Sequence, residues 1–280
     1  GEDGIGKSIL AEILGKLILN GDINREYVDI INYKPIKTSF GVDDVRDIID
    51  EVNKKPFEGD KKVIIIHQGN KLTIQAQNAL LKTIEEPPTE VYIIILCESL
   101  ELILDTIKSR CEIYKLTPLT KDELYKYMAI KGYECSEEEK LSAIAFSEGI
   151  PGRIDRYFSD TELQELRDKI VDLLLQLTNN EIEAILEKEE QLVSYKQNKE
   201  EVVNVLSSFI RDILVNKEVY NENLIINRDK IRSIERLTNE MSFKKLNKML
   251  LGLQEARKNI KNNVSWAMTV RIMLMDFMEG

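Results

Sequence analysis

The sequence predicts an α/β domain with a mostly parallel sheet, then a small helical lid, then an all-α C-terminal domain. Three observations carry this reading. Short β-branched runs alternate with helical stretches up to about residue 116. The first helix opens directly behind a glycine-rich loop at residues 1–8. From Lys121 onward only the helical period is present.

Taken in order, Ile9–Leu19 spaces Ile9, Leu10, Ile13, Leu14, Leu17 and Ile18 as a helix. Tyr27–Asn32 reads as a short strand. Val42–Asn53 repeats Val42, Val45, Ile48, Ile49 and Val52 on one helical face. Val63–Ile66 is a four-residue β-branched run of the kind buried in parallel sheets. Thr73–Glu86 is helical and stops at Pro87-Pro88. Val91–Cys97 is a second buried strand, Leu102–Arg110 a short helix, and Cys111–Leu116 a last strand.

The second half begins with Thr120, an N-cap with Glu123 three residues on, ahead of a helix over Lys121–Lys131. Glu137–Glu148 and Gly152–Phe158 complete a compact helical unit. Longer helices follow at Thr161–Asn179, Asn180–Lys199, Glu200–Val215, Arg228–Asn239, Phe243–Asn259 and Val264–Phe277. The stretch Val264–Met278 is apolar on several faces, which predicts burial. It reads as the core of the all-α domain or as a surface for partner subunits. The expected domains are residues 1–117, 118–159 and 160–280.

Composition narrows the function. Gly and Pro together make up under a tenth of the 280 residues, which excludes collagenous and mostly disordered chains. The net charge of −10 argues against a dedicated nucleic-acid coat, though not against a local basic patch. The longest apolar runs fall well short of the ~20 residues of a membrane span. Three widely spaced cysteines and one histidine would all have to converge to complete a zinc site, and the cysteines read instead as free thiols of a cytoplasmic protein.

Residues Gly1-Glu2-Asp3-Gly4-Ile5-Gly6-Lys7-Ser8 match GxxxxGK[ST] in full. A chance match in a chain this long has odds on the order of 1% at average composition. Gly1, Gly4 and Gly6 let backbone N–H groups turn inward around phosphate, and the helix N-terminus adds positive potential. Lys7 would reach the β- and γ-phosphates, and the Ser8 hydroxyl would ligate Mg²⁺. The strand expected before the loop lies outside the chain. Such a site also needs a carboxylate at the end of a neighbouring strand to organise the metal. Behind Val63–Ile66 stand His67-Gln68-Gly69-Asn70 instead. His67 reads as structural or solvent-facing, or as a base whose orienting partner the sequence does not identify.

The run Gln75-Ala-Gln-Asn-Ala-Leu-Leu-Lys-Thr-Ile-Glu-Glu-Pro-Pro88, with the phosphate loop upstream and Ser109-Arg110-Cys111 downstream, closely resembles the bacterial clamp-loader subunits of DNA polymerase III, in particular their delta-prime branch. The likeness is strong over residues 1–116 and looser over the helical remainder, which resembles the family's collar. It implies an AAA+ nucleotide-binding domain and a part in a DNA-directed DNA polymerase holoenzyme, a nucleotidyltransferase. Its implied partners are gamma/tau-like and delta-like subunits, the sliding clamp and primed DNA, without a membrane. It implies that Arg110 projects into a neighbouring subunit's ATP site and that Arg153, in Gly149-Ile-Pro-Gly-Arg153, approaches phosphate. Two departures stand out: the family's four-cysteine zinc module is missing, and its polar sensor falls at or near Cys97. ATP or ADP with Mg²⁺ is therefore expected to bind weakly or not at all, without zinc and without turnover by the chain alone. The competing readings are a self-sufficient AAA+ ATPase and a nucleotide-binding regulatory protein.

Overall fold

The computed structural model describes residues 1–35, 39–179, 182–219 and 221–278. It forms two compact units, one of residues 1–119 with 150–152 and one of residues 120–149 with 153–280.

The first unit is built on a parallel sheet of three strands among the described residues, in the order β1 (Ile30–Tyr33), β2 (Lys62–Ile66), β3 (Val91–Ile95). Ile30 lies opposite Val63, and Lys62 opposite Val91. All five residues of the central strand are buried, as expected for a parallel strand covered on both faces. The pleat divides them. Val63 and Ile65 pack with Ala11 of α1 (Lys7–Ile18). Ile64 and Ile66 pack with Val45, Ile48 and Val52 of α2 (Val42–Val52) and with Ala76 and Leu80 of α3 (Ile74–Glu85). Gly15 lets α1 approach closely: a Cβ there would meet Ile30 Cδ1 at 3.2 Å and Val63 Cγ1 at 3.4 Å. Lys62 is buried at the start of β2, where Nζ donates to Glu51 Oε1 at 2.9 Å. Hydrogen bonds from Lys54 and Lys62 hold the Glu51 carboxyl below the usual range.

Three stretches differ from the sequence reading. The first strand starts at Ile30 rather than Tyr27 because Asp29 turns aside; its carboxylate accepts from the Phe57 and Glu58 amides at 2.6 and 2.7 Å. The helix expected over Leu102–Arg110 breaks into a 3-10 turn at Leu100–Leu102 and α4 (Asp105–Lys108). The break follows from Gln77, buried on α3. Its Nε2 donates to the Leu102 carbonyl at 2.9 Å and its Oε1 accepts from the Leu104 amide at 2.8 Å, which removes both groups from a helical ladder. Cys111–Leu116 has strand composition but pairs with no ladder among the described residues, and Glu112–Lys115 are exposed. A strand exists only with a partner for its N–H and C=O groups.

The second unit is helical throughout: α5 (Lys121–Lys131), α6 (Glu137–Ser147), α7 (Pro151–Ser159, from residue 153), α8 (Thr161–Asn179), α9 (Ile182–Ser194), α10 (Lys199–Val219), α11 (Ile231–Glu240), α12 (Phe243–Lys261) and α13 (Trp266–Met278). Thr120 with Glu123, and Ser136 with Glu139, form reciprocal capping boxes at the starts of α5 and α6. The helix expected from Asn180 begins at residues outside the described ones, and it ends before a turn at 195–198. The core joins Leu173, Leu206, Phe209, Leu246, Val270 and Phe277. The α13 stretch is only half as buried as its composition suggests. Trp266, Val270, Met273 and Phe277 face the core, while Met268 and Met275 stay 53% and 55% exposed. No helix among the described residues is long and apolar enough to cross a membrane.

Candidate functional site at the glycine-rich loop

The loop gains its shape from two glycines in the left-handed region, Gly4 at φ 79° and Gly6 at φ 104°. Gly6 caps α1 without a side-chain acceptor, so the first amides of that helix are left for something else to satisfy. Gly4 also meets Gly152 within the same unit. The Gly152 amide donates to the Gly4 carbonyl at 3.0 Å, and a Cβ on Gly152 would come within 2.8 Å of Gly4 Cα. Lys7, first residue of α1, curls over the loop and donates to the Gly1 and Glu2 carbonyls at 2.6 and 2.7 Å.

Ser8 follows and faces the end of β2. Its Oγ lies 3.3 Å from His67 Nδ1, while His67 Nε2 lies 2.7 Å from Asn32 Oδ1 on β1. Asn32 Nδ2 in turn donates to Glu12 Oε2 on α1 at 3.4 Å. The carboxylate can only accept, so it fixes the Asn32 amide with its oxygen toward His67. That oxygen can only accept as well, so Nε2 carries the imidazole proton and Nδ1 offers a lone pair. The Ser8 hydroxyl therefore donates to Nδ1. Burial, then the Lys34 charge, push the His67 pKa below its usual value, against an opposing pull from Glu12, so the ring is neutral at pH 7.

His67 is buried rather than solvent-facing, and Asn32 is the orienting partner that the sequence did not identify. Its orienting partner was hidden because Asn32 is distant in sequence and adjacent only through parallel pairing of β1 with β2. The available signal was a polar residue inside the short strand Ile30-Ile31-Asn32-Tyr33.

A cleft of about 350 Å³ opens here, lined among others by Asp3, Lys7, Ser8, Lys34, His67 and Cys97. Burial pushes the Cys97 thiol up, so it stays protonated and is a weak partner for phosphate. Cys97, Cys111 and Cys135 are free thiols. Among the described residues, no group of three or more His, Cys, Asp or Glu side chains is placed to hold a metal ion.

Of the loop residues, Lys7 and Ser8 line the cleft together with Asp3, whereas Gly1, Gly4 and Gly6 do not. Arg110 is not among its lining residues. It lies just beyond α4, where one guanidinium nitrogen reaches Glu85 at the end of α3 at 2.6 Å and another donates to the Thr106 carbonyl at 2.9 Å. Arg153 belongs to the second unit, on α7, and pairs with Glu148 at 2.5 Å.

A family model described as DNA polymerase III, delta subunit, matches residues 22–120. A second, described as the C-terminal part of that subunit, matches residues 164–278. Together they take in well over half of the chain. The chain belongs to the DNA polymerase III delta subunit family. His67 and Arg110 lie within the first match, whereas the loop at residues 1–8 lies outside both. The chain is similar to DNA polymerase III subunit delta' of Escherichia coli K12, 34% identical over 41% of this chain and 34% of that one. It is similar to subunit delta' of Bacillus subtilis, 24% identical over 82% of this chain and 70% of that one. The match to the first of these relatives thus spans about a third of the relative's length. A crystal structure of a DNA polymerase III gamma subunit-related protein from Thermotoga maritima shares the fold, with a TM-score of 0.54, 15% identity, and coverage of 96% of this chain and 89% of that one.

Proposed function

We propose that the chain is a delta-prime-like subunit of a DNA polymerase III clamp loader, a cytoplasmic assembly in which it joins gamma/tau-like and delta-like subunits to place a sliding clamp on primed DNA. The observation that carries this reading is the pair of family matches, one on the α/β unit and one on the helical unit. Within it we assign residues 1–117 to the AAA+ domain, 118–159 to a lid and 160–280 to the collar. The half-exposed Arg110 is assigned to a neighbouring subunit's ATP site. Co-expression with the other loader subunits tests the reading. A stable complex that loads clamp on primed DNA is expected, and failure of the chain to join that complex overturns it.

The chain alone is expected not to turn over ATP. The end of β2 offers His67 where hydrolysis needs a metal-organising carboxylate. Losing such a part costs several powers of ten, at about 1.4 kcal/mol of barrier per tenfold. A steady-state assay finding turnover of about 1 s⁻¹, within the ordinary enzyme range, and abolished by Lys7→Ala would refute this.

A further inference from the structure

The fold family implies Mg²⁺ beside the phosphate loop, and the residues at the end of β2 do not fit it. A carboxylate there would accept the hydrogen bond of the loop serine and add a negative charge near the ion. In this chain the imidazole of His67 accepts the Ser8 hydrogen bond, at 3.3 Å, and carries no charge. The arrangement is built rather than incidental. Glu12 orients Asn32, Asn32 holds Nε2–H of a histidine only 8% exposed, and Nδ1 is left pointing at Ser8. The first turn of α1 has no side-chain cap, and Lys7 and Lys34 both line the cleft. Those groups suit an anion. The acids facing the cleft, Asp3 and Glu98, are both exposed and do not converge with His67 into a metal-binding group.

We propose that the glycine-rich loop binds the diphosphate of a nucleotide without a divalent cation, with His67 and its Asn32 support replacing the metal-organising carboxylate. The inference rests on the phosphate-loop part of the reading above and is independent of clamp loading itself.

Calorimetric titration of the full-length protein with ADP, in excess Mg²⁺ or in EDTA, tests the proposal. The wild-type protein is expected to bind ADP no more tightly in excess Mg²⁺ than in EDTA. His67→Asp restores the missing charge and should bind ADP more tightly with Mg²⁺ than without, on the order of a hundredfold for one unit charge near a divalent ion. A melting curve checks that His67→Asp is folded, and the wild-type comparison of Mg²⁺ with EDTA decides alone if it is not. Tighter wild-type binding in Mg²⁺ than in EDTA, or no binding of ADP at millimolar concentration, each overturns the proposal. Assembly with the other loader subunits, measured separately, is unaffected by any of these outcomes.

Discussion

Arg110→Ala is expected to abolish most ATP turnover at one site of a reconstituted clamp loader while leaving this chain folded and assembled. An arginine supplied from a neighbouring subunit typically contributes 10³–10⁵ in rate to phosphoryl transfer. Its planar fork remains charged at any working pH and matches phosphate oxygens. Arg110 suits that duty by position. It stands on a short turn past α4, its side chain 38% exposed, held by Glu85 and the Thr106 carbonyl rather than by a core contact. Exposed pairs of this kind contribute no more than about 1 kcal/mol, so their loss leaves the fold intact. The remaining subunits keep their own arginines, so total steady-state turnover should fall in part, whereas single-turnover measurements resolve the silenced site. Clamp loading should slow with it. Glu85→Gln is the control: it releases Arg110 from its resting partner without removing the guanidinium, and turnover should be kept. A loader carrying Arg110→Ala with unchanged ATPase and loading rates would reduce Arg110 to a surface residue.

How much of the fold is legible in the sequence depends on the range of the forces involved. The capping residues of α5 and α6 act within three positions, and Thr120 and Ser136 mark those helix starts in the sequence itself. The run Val63–Ile66 announces a strand covered on both faces because burial on both faces selects apolar side chains, the one exception being Lys62, paired with Glu51. Gln77 behaves differently. Its amide reaches Leu102 and Leu104 more than two dozen residues away and cuts a helix that the local pattern favours. The site divides along the same line. The loop is contiguous and legible as GxxxxGKS, whereas the Glu12–Asn32–His67–Ser8 chain is assembled by parallel strand pairing and by the seating of α1, and no spacing rule joins those four residues. Likewise α13 is apolar on more faces than its own unit covers, so composition overstated its burial.

Asp229→Ala is expected to cost the helical unit about 3–5 kcal/mol, the size seen when one partner of a buried ion pair is removed. Arg167 on α8 is 2% exposed. Its guanidinium donates to Asp229 Oδ1 at 2.7 Å, to Asn227 Oδ1 at 3.2 Å and to the Tyr157 hydroxyl at 2.8 Å, and it lies over the Tyr157 ring. Burial works against its charge, but Asp229 and Tyr157 outweigh burial and hold its pKa above the usual value. Removing Asp229 leaves that charge in the core with only neutral acceptors, and arginine cannot shed its proton to escape. Trp266, the single tryptophan, is buried in the same unit, so its fluorescence follows this transition in denaturant. At roughly 2–4 °C per kcal/mol for a unit of this size, the melting point should fall by about 10 °C. The double variant Arg167→Met/Asp229→Leu should recover much of the loss, because it removes both charges and refills the volume with apolar atoms. If the single variant lost less than about 1 kcal/mol, the value of an exposed pair, water or another acceptor would have to reach Arg167. If the double variant were as damaged as the single one, the packing of the Arg167 stem against Tyr157, not its charge, would hold α8 in place.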